Sequence, residues 1–585
     1  MDRRTGLANM FTALAWSLAC RTTYADNGTQ AFVEEMPVKL EGKRESEMAA
    51  SHKIDSFSML IFITLLIVTV LMTWLFKIRR FRCFHETGVA TVFGIVVGVV
   101  IKYSRFHPMY DNSIRVENCN NLTVAPEILE VNINGTLYSY SFKGILFENE
   151  DSRENELEVR TTFNPEIFFH VLLPPIIFSA GYNMKKRYFF RNLGAIITYA
   201  LIGTIISTFA TGAIVYGYTV FMGVPDSFDF TECLLFGAMI AATDPITVLA
   251  VITDIQVDVD LHALVFGESV FNDAVAIVLY RAVENYLAYQ PSAMREFDRY
   301  SSLRALGSFF SIFFGSLLIG NGVACANALI TKLTKIGSFP ILETALFFVM
   351  SYSSFLAAEV ANWSGIVALL FCGVTQQHYT YKNLSEESRT RTIQTFDLLN
   401  FLAENFIFSY IGLSVFTFTT HIWDFRFIAW SFLAITVGRI LNIYPLTFFL
   451  NFGRTGKIPW NFQHMMVFSG LRGAIAFALA VRNTVSMPRQ MMLTATLSIV
   501  LVSVILLGGM TTPMLKLLQI KTGVDENMEE LKARRLSLID INDPSLSTPE
   551  ERREKKQYET AWLVRVWSNF DNKYLIPIFT EEHGN

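Results

Sequence analysis

Two short strings concentrate the residues that could do chemistry: AATDPITV (241–248) and FGESVFNDAVAIV (266–278). Between them they carry Thr243, Asp244, Pro245, Glu268, Asn272 and Asp273, all inside apolar runs long enough to cross a bilayer. Ionisable groups at membrane depth are costly and mark ion or proton pathways. Pro245 removes a backbone donor and clashes with the preceding turn, so the helix opens there and frees carbonyls. An opened helix with Thr243 and Asp244 beside it can coordinate a small cation through oxygens. The plainer alternative is a proline kink with an aspartate facing a water pocket. Glu268 and Asn272, four residues apart, share a helical face, with Asp273 about 100° round the helix.

Two acids in one span require a cation or a proton to be tolerable. Arg439 (TVGRILN, 436–442) and Arg472 (SGLRGAI, 469–475) are the intramembrane cations on offer, and on charge alone either satisfies Glu268. Both can also serve as structural counter-charges with no part in transport. Gly470 and Gly473 bracket Leu471-Arg472 inside an apolar run, a second weak point for helix continuity. Glu404 and Glu359 are further acids at or near membrane depth without an assigned partner. Arg281 and Glu284 lie two to three turns beyond Asp273, towards an outer mouth. Pro174 and Pro175 in LLPPIIF (172–178) mark a kinked packing helix.

The elements that must position these groups follow from composition. The chain has 585 residues, 52% hydrophobic and only 17% charged, with a mean hydropathy of +0.36. Apolar runs of about twenty residues recur, the length of a membrane-spanning helix. Thirteen spans are predicted, near 57–76, 87–103, 165–180, 194–221, 231–252, 262–287, 303–331, 339–358, 363–377, 395–418, 424–450, 462–482 and 490–515. The fold expected is therefore an all-α polytopic membrane protein. The interrupted spans 5 and 12 are seven apart, so they cross in opposite directions, as in an inverted repeat of spans 1–6 and 8–13. The net charge of −4 is spread over loops and tail and carries no nucleic-acid signature, and the six cysteines show no metal or disulfide spacing.

Basic residues in the short loops, among them KIRRFR (77–82), KKRYFFR (185–191) and RTGK (454–457), follow odd-numbered spans. This predicts an outer or lumenal N-terminus and a cytosolic C-terminus. The sequons at Asn27, Asn121 and Asn134 all fall on the lumenal side of that topology, the last two in a glycosylated loop over 104–164. Residues 1–25, with a basic start and a short apolar stretch, read as a signal peptide. Residues 519–585 form a charged cytosolic regulatory tail with one aromatic docking element, TAWLVRVWSNFDNKYL (560–575), that can meet partner proteins.

The strings LLPPIIFSAGY (172–182), ATDPITVLA (242–250), FGESVFNDAVAIVLY (266–280), FLAENFIF (401–408) and WNFQHMMVFSGLRGAIAFALAVRNT (460–484) resemble the eukaryotic sodium/proton exchangers of the monovalent cation/proton antiporter superfamily. The resemblance covers residues 57–518 and is closest to the organellar, endosomal branch. It implies a thirteen-helix homodimer in which a core domain moves against a dimerisation domain by an elevator-type motion. Carried over residue by residue, it implies that Asp273 and Asn272 bind the Na+ or K+ with Thr243 and Asp244, that Glu268 and Arg439 form a structural pair, and that Arg472 compensates charge. The sequence departs from the pattern at Phe271, Ser179, Arg281 and Glu284, and Arg281 is expected to alter cation access at the mouth.

One carboxylate that must be either protonated or cation-bound gives antiport by competition, because the empty charge is too unfavourable to cross. The expected function is electroneutral exchange of lumenal H+ for cytosolic Na+ or K+ in endosomes, with no cofactor beyond the transported ions and with lipids as surroundings. The rival readings are a cation channel and an intramembrane aspartyl protease built on Asp244 and Asp273.

Overall fold

The computed structural model describes residues 59–75, 86–103, 128–141, 167–222, 228–289, 299–524 and 566–580, a few isolated positions within these excepted. The predicted signal peptide and the sequons at Asn27, Asn121 and Asn134 lie outside the described residues. The architecture below belongs to the unit Leu60–Asn585.

Each predicted span falls on a helix or, for spans 5 and 12, on a broken pair. In chain order these are α1 (Met59–Leu75), α2 (Glu86–Tyr103), α3 (Phe168–Tyr182), α4 (Tyr188–Met222), the pair α5 (Phe230–Ala241) and α6 (Pro245–Asp254), and α7 (Val259–Tyr289). Then follow α8 (Arg299–Leu333), α9 (Pro340–Val360), α10 (Gly365–His378), α11 (Glu386–Thr417), α12 (Phe425–Gly453), the pair α13 (Trp460–Phe468) and α14 (Ala474–Val481), and α15 (Met487–Leu517). Eight of the described helices are long and apolar enough to cross a membrane.

The helices sort into two bundles. In the first, α4 packs on α5 and α12, α7 on α4 and α5, and α14 on α15. In the second, α11 packs on α2 and α3, and α10 on α3, α8 and α9. A shift of seven spans exchanges the α2–α11 contact with α3–α10, and the α6–α7 contact with α14–α15, so the packing itself carries the inverted repeat. Helix α7 is the axis of the first bundle: 89% of its most apolar window is buried, which leaves Glu268 and Asp273 no route to bulk water except through a cavity.

The breaks fall where helix-breaking residues predict them. Pro245 begins α6, leaving Ala242, Thr243 and Asp244 outside either helix, and residues 469–473 separate α13 from α14. Two π-helical stretches, Thr198–Gly203 in α4 and Ser503–Leu507 in α15, widen helices that flank the breaks.

Two features extend the helical expectation. Strands β1 (Ile128–Ile133) and β2 (Thr136–Ser141) pair antiparallel in the predicted lumenal loop; the sequence joining them is Asn134-Gly135, a dipeptide favoured in two-residue hairpins. At the other end of the chain, part of the aromatic tail stretch is seated on the ends of α8 and α10. Tyr379 Oη donates to Asp571 Oδ1 at 2.5 Å and His378 Nε2 lies 2.7 Å from Asp571 Oδ2. Lys332 Nζ donates to the Pro577 carbonyl at 2.6 Å, and Asn383 to that of Phe579 at 2.8 Å.

Candidate ion-binding site

The two breaks cross each other. The Asp244 amide donates to the Leu471 carbonyl at 2.7 Å, tying one opened segment to the other. Arg472 reaches back across the crossing: its Nη1 donates to the carbonyls of Ala241 (2.6 Å) and Ala242 (3.1 Å). A cation on the exposed carbonyls of a helix C-terminus is the favourable sense of the helix dipole. The break around Arg472 is held in turn by Ser503, whose hydroxyl accepts from the Arg472 amide at 3.3 Å and donates to its carbonyl at 2.7 Å. The flanking glycines make this approach sterically feasible. A Cβ on Gly473 would sit 2.6 Å from Asp244 Cβ and Cγ, and one on Gly470 would sit 2.5 Å from Arg439 Nε.

Between the two arginines open for Glu268, the structure chooses Arg439. Nη1 meets Oε1 at 2.5 Å and Nη2 meets Oε2 at 2.8 Å, a parallel two-bond pair with Glu268 fully buried and Arg439 3% exposed. Arg439 also donates to the Met466 carbonyl, at 2.7 Å from Nη2 and 3.3 Å from Nε, so α13 is stitched to the pair.

Asn272 and Asp273 are both buried on α7. The Asn272 amide donates to the Ala241 carbonyl at 2.9 Å and to Thr243 Oγ1 at 3.1 Å, and its Oδ1 accepts from the Thr204 hydroxyl. The Asp273 carboxylate accepts from the Thr243 backbone, while its Oδ1 has no hydrogen-bond partner among the described residues. Thr243, Asp244, Asn272 and Asp273 are thus brought together, with Glu268, Arg439 and Arg472 around them. Thr204 escaped the sequence reading. Its signal is purely positional, at the end of the π-helical stretch that turns α4 towards α7.

A cavity of about 340 Å³ leads to this cluster, with Asp244 and Asp273 buried at its floor and Asn183, Thr253 and Asp397 exposed at its mouth. Its wall includes Glu404, to which Asn400 donates at 2.6 Å. Four carboxylates line one passage, a potential that gathers cations. Helix α3, expected only to pack, lends the wall Leu173, Ile176, Ile177 and Ser179.

Glu359 and Arg281 find each other: Arg281 Nη2 donates to Glu359 Oε1 at 2.8 Å and Nη1 to the Trp363 carbonyl at 2.8 Å. Arg281, expected to alter cation access at the mouth, is engaged by the turn between α9 and α10. Glu284 lies 4.0 Å from Arg482.

Crossed, interrupted helices beside a buried carboxylate, in oppositely oriented repeats, define a secondary ion transporter rather than an enzyme. A family model described as "Sodium/hydrogen exchanger, transmembrane" matches residues 66–517. Sodium/hydrogen exchanger 7 of Homo sapiens is 48% identical over 561 residues, covering 92% of this chain and 77% of that protein. Sodium/hydrogen exchanger 9 of Equus caballus is 51% identical, covering 89% of this chain and 80% of its own, and sodium/hydrogen exchanger 5 of Arabidopsis thaliana is 36% identical, covering 84% and 92%. The solved sodium proton antiporter MjNhaP1 of Methanocaldococcus jannaschii superposes with a TM-score of 0.54 at 17% identity, covering 79% of this chain and 99% of that one, a likeness of fold. The chain belongs to the sodium/hydrogen exchanger family. It is a membrane antiporter of sodium and protons.

Proposed function

We propose that the exchange is electroneutral, one H+ for one Na+ or K+, with Asp273 as the carboxylate for which both compete. The observation that carries this reading is the Asp273 Oδ1, buried, unpartnered among the described residues and set at the floor of a cavity with an exposed mouth. The charges support the stoichiometry. Glu268 and Arg439 cancel each other, which leaves the buried Arg472 against two buried carboxylates, Asp244 and Asp273, and so one net negative charge. Asp273 remains the group whose charge must be neutralised before a transit. Oxygens of Asp273, Asp244, Thr243 and Asn272 supply the donor chemistry a hard monovalent cation requires.

The first bundle is the moving core and the second the fixed, dimer-forming scaffold, so that transport is elevator-type alternating access in a homodimer. A ligand biases this cycle only through unequal affinity for the two faces. The cavity mouth at Asn183, Thr253 and Asp397 is cytosolic on the charge-based topology, with the N-terminus and the sequons at Asn27, Asn121 and Asn134 lumenal. The likeness to the organellar exchangers supports an endosomal location, where cytosolic K+ or Na+ exchanged for lumenal H+ would raise lumenal pH.

The test is lumenal pH in proteoliposomes challenged with Na+ and then K+, for wild type and Asp273→Asn. Cation-driven proton flux, insensitive to an imposed voltage and lost in the variant, is the expected result. Flux retained by Asp273→Asn overturns the site. Current without proton coupling returns the channel reading.

A further inference from the structure

Arg281 lies on α7 eight residues beyond Asp273, and so about 12 Å further along the helix axis. The opposite end of α7 is the one beside the cavity mouth, since His262 Nε2 lies 3.3 Å from Thr253 Oγ1. Arg281 therefore sits on the far side of the ion site from the open passage. There it meets the turn between α9 and α10, which belongs to the other bundle. One guanidinium nitrogen holds the Trp363 carbonyl and another holds Glu359 Oε1, both at 2.8 Å. The side chains of the pair are 19% and 26% exposed.

That turn is a firm anchor. Glu359 Oε1 also accepts from the Gly365 amide at 2.9 Å, and the Ser364 amide donates to Ser316 Oγ on α8 at 2.9 Å. The Trp363 ring lies against Gly315, where an added Cβ would meet ring carbon at 2.5 Å. Other ion pairs at this end, Glu284–Arg482 at 4.0 Å and Glu232–Arg489 at 3.5 Å, stay within the first bundle. Among the described ion pairs, Arg281–Glu359 alone joins the two bundles.

We propose that Arg281 and Glu359, with the Trp363 carbonyl, form a latch that holds the far side of the ion site shut while the cavity is open, and that must part in every transport cycle. The inference rests on the two-bundle motion proposed above. Both bonds have near-ideal length, and hydrogen bonds weaken steeply once their geometry is lost, so a slide of the core by even part of a helical turn removes them. An interaction made in one state and absent from the other shifts the balance between the two. Arg281 and Glu359 are thus gating residues: they touch no transported ion and set the share of molecules facing each way.

Arg281→Cys with Glu359→Cys, bridged through two disulfides by a bifunctional methanethiosulfonate and reconstituted in proteoliposomes, tests the latch directly. Exchange by the unbridged double variant is the baseline, and each single-cysteine variant controls for the reagent. Loss of exchange on bridging, restored by reductant, is the expected result. Undiminished exchange in the bridged protein overturns the latch. A second measurement guards against a double variant that fails to fold: apparent cation affinity on each face, for Arg281→Gln, Glu359→Gln and the swapped Arg281→Glu/Glu359→Arg. Each single variant should tighten the far-face affinity relative to the cavity-face affinity by about fivefold, as expected of a partly exposed pair, with the swap returning towards wild type. A ratio unchanged in both single variants refutes the latch, since a merely structural role moves both faces together. Failure of the exchanger reading looks different, because wild type itself then gives no cation-driven proton flux.

Discussion

Replacing Arg439 with glutamine should cost the fold far more than it costs the chemistry. The substitution removes two bonds to Glu268 at 2.5 and 2.8 Å and two to the Met466 carbonyl at 2.7 and 3.3 Å. Glu268 is fully buried, so its carboxylate is left without the hydrogen-bonded counter-charge it has in the wild type. Breaking a buried pair by removing one partner costs about 3–5 kcal/mol, or roughly two to four powers of ten in the folded population. The double variant Glu268→Gln/Arg439→Gln should recover much of this, because both charges are removed at once and no buried charge is left unpaired. Thermal unfolding of the purified protein, followed for wild type, both single variants and the double, completes the cycle. If Arg439→Gln is as stable as wild type, or if the double variant is no better than the worse single, the pair is not the structural tie described here.

Gly473→Ala should cost about 1–3 kcal/mol by overpacking against Asp244, whereas Gly194→Ala, which meets nothing within 4 Å, should be neutral or stabilising; thermal midpoints distinguish them. Thr204→Val leaves Asn272 Oδ1 without its donor, a loss of about 1–3 kcal/mol at a buried polar group, and should raise the KM for Na+ roughly tenfold. His421, in the connection between α11 and α12, lies 3.0 Å from the Ser414 carbonyl and 3.2 Å from Thr494 Oγ1. Burial lowers its pKa from the usual value near 6.5, with the Ser414 carbonyl opposing. The folded state therefore binds fewer protons than the unfolded one below about pH 6.5, and the stability His421 contributes is present above that pH and lost as pH falls. Wild type should lose thermal midpoint between pH 7 and pH 5 more steeply than His421→Gln; parallel slopes count against this role.

The chain by itself determined where the membrane helices run, where two of them break, and which acids lie at membrane depth. Apolar runs, Pro245 and the Gly470–Gly473 bracket act within a single segment, so local chemistry is enough to read them. Asn134-Gly135, in the sequence between β1 and β2, is a local signal of the same kind. Only the tertiary structure decided the partners. Whether Glu268 takes Arg439 or Arg472 depends on which faces of α7, α12 and the α13–α14 break meet, and those residues stand 171 positions apart in the first case. The same holds for Arg472 on the Ala241 and Ala242 carbonyls, for Thr204 on Asn272 and for Arg281 on Glu359. Charge and spacing restrict each group to a short set of partners; the packing of distant helices selects one, because a buried charge is stable only where a complementary group arrives from another segment.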